Sequence, residues 1–294
     1  MSELYNDSII ETPEYQQFLH ISQYFYGTKD YYNLFYANNY PIAYKKILSE
    51  GDENTPPEVK FFYIYPVPLS LYEAFGGILQ AVFNLDEEKM QGKDPRTIKL
   101  SYLDFLVYKS SQEKDGDVLL ILLFEALSQC LHLTSDQIKL DIIDGQLKLF
   151  LDGVEISHQE FNEIRNIILD QNNIEKVDLS IHPSLRKVLR DAEEFKRKHA
   201  RHKMCSLEEL KYRVMGKTGL SFNEINNLSV RQFTKLVESL EAISSYELNM
   251  VLAPNMEKKD QQNIVHWLAS VDKKKNAIED NSISLDEMKN KLQA

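Results

Sequence analysis

Between Gln137 and Asn172 the spacing of hydrophobic positions changes period. Ile138, Leu140 and Ile142 alternate with polar residues, and so do Leu147, Leu149 and Leu151 after Asp144-Gly145, a pair suited to the positive φ angles of a tight turn. That pattern predicts a β-hairpin. Asp152-Gly153 makes a second turn into a short strand carrying Val154 and Ile156. Ser157-x-x-Glu160 then opens a helix as a capping box, with Phe161, Ile164, Ile167 and Ile168 on one face. A three-stranded meander with one apolar face and a helix to cover it is a nucleus on which upstream segments can pack.

Upstream, residues 1 to about 75 hold eighteen of the thirty-one aromatic residues, including Tyr24, Phe25, Tyr26, Tyr31, Tyr32, Phe35, Tyr36, Tyr40 and Tyr44. A tyrosine cluster of this density suits a semi-polar core or a contact surface. Asp52 to Pro57 reads as a polar loop and Phe61 to Tyr65 as a buried strand stopped by Pro66. Ser70 is placed to cap a helix to about Phe83, with Leu71, Phe75, Ile78, Leu79 and Val82 on its apolar side. Asp86 to Arg96 reads as a charged loop, Ser101 as the cap of a short helix, and Glu113 to Gly116 as a turn. Val118 to Leu131 is apolar nearly all round, as a central buried helix would be.

Downstream, Ile174 to Pro183 is irregular. From Ser184, the residues Leu185, Val188, Leu189, Ala192 and Phe195 keep helical spacing while Arg and Lys fill the remaining positions to about Arg201. Three more caps follow at Ser206-x-x-Glu209, Ser221-x-x-Glu224 and Ser229-x-x-Gln232. The last opens a helix to about Leu252, stopped by Pro254, with Phe233, Leu236, Val237, Leu240 and Ile243 on one face. Asn263 to Val271 is expected to dock Trp267, and a polar tail follows. The fold class is therefore α+β: an α+β domain over 1–173, a connector with a basic amphipathic helix over 174–205, a small helical domain over 206–271, and a tail over 272–294.

Charge adds one feature. The net charge is −11, yet Arg186 to Lys217 carries eleven Lys or Arg against five Asp or Glu, a basic band of +6 on a body of −17. Such a band fits a solvated connecting helix or an anion-binding surface. The longest apolar run, Val118 to Phe124, is far short of the roughly 20 residues of a membrane span, and no secretory signal opens the chain. Cytosolic synthesis is expected. Two cysteines, Cys130 and Cys205, exclude a disulfide framework.

Candidate chemistry is sparse. Phosphate-loop, dinucleotide and nucleophile-elbow glycine motifs are all missing, so no cofactor and no enzymatic activity is expected. His20, His132, His158, His182 and His266 each stand alone in sequence, without a neighbouring nucleophile or paired carboxylate. His199, His202 and Cys205 are three metal-ligand types at near-helical spacing, but a structural zinc site needs a fourth ligand, and Lys198, Arg201 and Lys203 oppose a cation. The three capped helices also have a helix-turn-helix layout, in which Arg213, Lys217, Arg231 and Lys235 would contact an anion. Glu224, Glu238, Glu241 and Glu247 would repel phosphate there, so nucleic acid is a poor partner.

A series of short segments in fixed order carries a resemblance. It runs from Ile64-Tyr65-Pro66-Val67 through Ser101-Tyr102-Leu103-Asp104-Phe105-Leu106, Phe161-Asn162-Glu163-Ile164-Arg165, Gln171-Asn172 and Ile181-His182-Pro183. It continues with Glu193-Glu194-Phe195-Lys196, Ser206-Leu207-Glu208-Glu209, Leu228-Ser229-Val230-Arg231-Gln232-Phe233 and His266-Trp267-Leu268. In this order they resemble tail-module proteins of tailed bacteriophages and prophages of Gram-positive hosts. The resemblance implies a non-enzymatic role in the host cytoplasm, similar to that of tail assembly chaperones that bind the tape-measure or tail-tube protein. In that reading Phe233, Leu236, Val237, Leu240 and Trp267 would hold the partner. A structural tail or baseplate component of the virion is the alternative within the same neighbourhood.

Overall fold

The computed structural model describes residues 7–51, 55–91, 94–112, 116–199, 205–257, 261 and 264–267. In chain order the elements are α1 (Pro13–Ser22), α2 (Lys29–Asn38), β1 (Ile42–Ser49), β2 (Glu58–Ile64), α3 (Leu69–Phe83), α4 (Asp86–Gln91), α5 (Tyr102–Gln112) and α6 (Gly116–Leu131). Then come β3 (Ile138–Ile143), β4 (Gln146–Leu151), β5 (Val154–Ile156), α7 (His158–Gln171), α8 (Pro183–His199), α9 (Leu207–Thr218), α10 (Phe222–Asn227) and α11 (Val230–Leu252). The fold is α+β, with one antiparallel two-stranded sheet and one antiparallel meander of order β3-β4-β5.

The meander forms as its sequence dictates. Asp144 and Gly145 both take positive φ, 53° and 74°, and close the hairpin with Ile143 opposite Gln146. Leu149, Leu151, Ile138 and Ile156 are buried in the same core as Phe161, Ile164 and Ile168 of α7, and α6 packs on β3. The Ser157 cap is reciprocal: Glu160 N–H donates to Ser157 Oγ, and Ser157 N–H to Glu160 Oε2.

Much of the aromatic N-terminus resolves as core, while Tyr24, Phe25 and Tyr26 stay exposed. Tyr15, Tyr31 and Phe35 are fully buried, and the tyrosine hydroxyls answer a need of the sheet. Tyr15 donates to Pro41 O at 2.9 Å, Tyr31 to Ala43 O at 2.6 Å and Tyr26 to Lys45 O at 3.2 Å, while Lys45 N–H donates to the Tyr26 oxygen at 3.1 Å. Alternate residues at the outer edge of β1 are thus satisfied by phenols where a third strand would lie.

A buried arginine joins three helices. Arg165 on α7 donates from Nε to Phe83 O at 2.7 Å, pairs with Asp86, and lies 3.6 Å over the Tyr102 ring. Tyr102 in turn donates to Val82 O and accepts from Leu85 N–H, and burial pushes its phenol up to about 12. The end of α3, the start of α4 and the start of α5 meet on that one guanidinium. Beside it, Asn172 accepts from Val67 N–H and Gln171 donates to Ile64 O, tying the end of α7 to the β2–α3 connection.

Several expectations change. Asp86 to Arg96 holds a helix, because Asp86, Glu87 and Glu88 in its first turn complement the helix dipole, and a capped 3-10 turn follows at Pro95–Lys99. Ser70 does not cap α3; Pro68 precedes the helix, and Leu69 N–H donates to Leu228 O at 2.8 Å. The expected turn at Glu113 to Gly116 lies outside the described residues except Gly116, where α6 begins. α6 is not buried all round, since Val118 and Ile121 are exposed.

The chain forms two compact units, Met1–Thr234 and Lys235–Ala294, with the division inside α11. The cause is docking of the capped helices on the first domain. Pro68 and Ser229 form an antiparallel bridge, α10 packs on α3, and Arg231 donates to Asp170 O at 3.0 Å while lying 4.4 Å over Tyr36. In the second unit Gln261 donates to Ala253 O and Met256 O, and Tyr246 packs on His266. The expected helix from Asn263 to Val271 is described only at 264–267, which is not helical, and the tail over 272–294 lies outside the described residues.

Candidate functional site

Folding brings together one constellation that sequence separation hides. Ser101 precedes α5 and His158 opens α7, 57 residues apart, yet Ser101 Oγ lies 2.9 Å from His158 Nδ1 and 2.7 Å from Asp104 Oδ2. His158 Nε2 is 3.8 Å from the same carboxylate oxygen. Serine, histidine and aspartate invite comparison with a nucleophile and base, but the proton count decides otherwise. The hydroxyl has one hydrogen, and its shortest contact places that hydrogen on Asp104; it also accepts from Asp104 N–H at 3.0 Å. His158 Nδ1 is left as a donor to Ser101, the reverse of what a general base requires. The arrangement is a helix cap extended to the next helix.

An exposed apolar stripe lies on α8. From the sequence, Leu185, Val188, Leu189, Ala192 and Phe195 should face inward and the cations outward. In the structure nearly every described position of α8 is exposed, apolar and cationic alike, and Arg186 is the one buried among them. Leu185 is 51% exposed, Val188 60% and Phe195 62%, whereas Arg186 is 8% exposed and Arg190 reaches Glu87 on α4 at 2.6 Å. Glu87 at the start of α4 meets one cation of α8, Arg190, while the apolar stripe stays exposed. Neither Nε nor Nη1 of Arg186 has a hydrogen-bond partner among the described residues.

The remaining candidates are dispersed. Phe233 is 3% exposed, so it is core and not an open contact surface; Leu236, Val237 and Leu240 are half-buried, and Trp267 is exposed and stacks on His266 at 5.7 Å. Arg213 and Lys217 are exposed on α9. Arg231 is committed to Asp170 O and Tyr36, and Lys235 to Glu238 at 2.8 Å, so the four cations do not form a common anion site. His199 Nδ1 donates within its own helix to Phe195 O at 2.9 Å and the ring stacks on that of Phe195, while Cys205 is half-buried and His202 lies outside the described residues. Among the described residues no group of three or more His, Cys, Asp or Glu side chains is placed to hold a metal ion, and no helix is long and apolar enough to cross a membrane.

Sequence reasoning missed Arg165 and the Ser101–His158 contact. Arg165 occupies a polar position in the α7 pattern, and only its neighbours in space make it central. Comparison with protein-family models, curated proteins and solved structures finds no match to the chain.

Proposed function

We propose that this chain acts through protein contacts and not by catalysis, as an assembly factor for a phage tail that binds the tape-measure or tube protein in the host cytoplasm. The observation that carries the reading is the apolar stripe of α8, turned away from the body while Arg190 on another side of the helix is held by Glu87. An exposed i, i+3, i+4 stripe is the surface on which a partner helix packs, and Leu185, Val188 and Phe195 are its anchors. The kind of partner comes from the sequence resemblance, whose ordered segments include the Glu193-Glu194-Phe195-Lys196 turn of this helix.

The test is a pull-down of the full chain from phage-producing cells, beside the composition of purified virions. Tape-measure or tube protein should accompany the wild-type chain and be lost with Leu185→Glu/Val188→Glu, and the chain should be missing from finished virions. Presence in virions would favour the structural tail or baseplate reading. Recovery of neither tail protein would overturn both.

A further inference from the structure

The outer edges of the two sheets are finished differently. On β1, Tyr15, Tyr31 and Tyr26 occupy the main-chain groups of alternate residues. β3 has no such cover. Asp152 N–H donates to Gln137 O at 2.7 Å and Ile143 stands opposite Gln146 beside the tight turn, so Gln137, Lys139, Asp141 and Ile143 direct their main-chain groups at β4. Ile138, Leu140 and Ile142 therefore direct theirs at the open edge, where no hydrogen bond reaches Leu140 or Ile142 among the described residues. Ile142 shares the side-chain face of buried Ile138 yet is 75% exposed, because the hairpin extends beyond the core.

We infer that β3 pairs antiparallel with β3 of a second copy of this chain, Leu140 opposite Leu140, to form one continuous six-stranded sheet. Three two-fold registers bring the outward groups together, centred on Lys139, Leu140 or Asp141. The first sets Lys139 against its own copy and the third sets Asp141 against its own copy, placing like charges directly opposite. Only the Leu140 register sets each Lys139 against the other copy's Asp141. These are side chains on the solvent face, in the closer, non-hydrogen-bonded pairs of the new ladder. The same register sets each exposed Ile142 beside the other copy's Ile138, on the core face. Main-chain groups of Ile138, Leu140 and Ile142 then bond across the axis, so the unmet edge, the exposed isoleucine and the charge pattern are all answered at once. The pairing is between copies and does not depend on the tail-protein reading.

The experiment is light scattering after size exclusion, over a range of concentrations, on the full chain and on Lys139→Asp, Asp141→Lys and the double exchange, with circular dichroism to confirm folding. The wild-type chain should dimerise. Each single reversal sets like charges opposite twice and should weaken the dimer about tenfold or more, and the double exchange should restore it. Because either single reversal makes the same point, misfolding of one leaves the other decisive. A monomer at every concentration, or a dimer indifferent to both reversals, would overturn the inference.

Discussion

The Tyr31 hydroxyl donates to the carbonyl of Ala43 at 2.6 Å, with the tyrosine fully buried, so the phenol serves as a surrogate for a neighbouring strand. Burial pushes the Tyr31 phenol well above its ordinary range, which keeps it a neutral donor throughout the accessible pH range. Tyr31→Phe removes the donor and leaves a buried acceptor unmet. Urea unfolding should show a loss of about 1–2 kcal/mol. Tyr24→Phe, at an exposed ring, should change stability by less than about 0.5 kcal/mol.

Arg165 should be the most sensitive polar position. Arg165→Met keeps much of the volume but strands Phe83 O and the Asp86 carboxylate and removes the stack on Tyr102. The expected loss is about 3 kcal/mol by thermal or denaturant unfolding, since one partner of a largely buried pair is removed. An effect below about 1 kcal/mol would mean that the three helix ends are held by apolar packing alone.

Acid sensitivity should run through Glu160. Burial pushes its carboxyl up, but the Lys46 ammonium, with Ser157 N–H and hydroxyl, outweighs this and holds the group below its ordinary value. A depressed folded-state pKa contributes stability above the unfolded pKa, near 4.3, and loses it as pH falls through the folded value. Glu160→Gln should therefore flatten the fall in stability below about pH 4. Equal pH slopes for the variant and the wild type would rule this carboxylate out.

The two thiols should differ in reactivity. Cys130 is fully buried on α6, and burial pushes its thiol up to about 12, whereas Cys205 is half-buried before α9. A thiol reagent should titrate one group in the native protein and two after unfolding, and Cys205→Ser should abolish the native signal.

Local signals in the chain carried far into the structure. The two turns and the Ser157, Ser206 and Ser221 boxes are properties of residues within four positions of each other, and they form, as does the hairpin that the first turn closes. β1 escaped notice because Ile42-Ala43-Tyr44-Lys45-Lys46-Ile47-Leu48 has no clean two-residue alternation; its inner half is buried on both faces while its outer half emerges into solvent. The apolar stripe of α8 was legible, but periodicity reports that a stripe exists, not which side the body lies on. In the structure Arg190 of that helix pairs with Glu87, more than a hundred residues away in the chain. Separation in sequence likewise hid Ser101 from His158, 57 residues on, and Arg165 from Phe83, 82 residues back.

The phenol-capped edge of β1 also limits how far assembly can proceed. A sheet with two open, long edges can recruit copies without end, and that is the route to fibres. Here the outer side of one sheet is covered at Pro41, Ala43 and Lys45 by Tyr15, Tyr31 and Tyr26, and β5, opposite β3 in the other, offers only Val154–Ile156. Pairing through β3 is self-complementary and consumes the surface that made it possible. Growth therefore terminates at two, and the tyrosines that complete the core also act as chain stoppers.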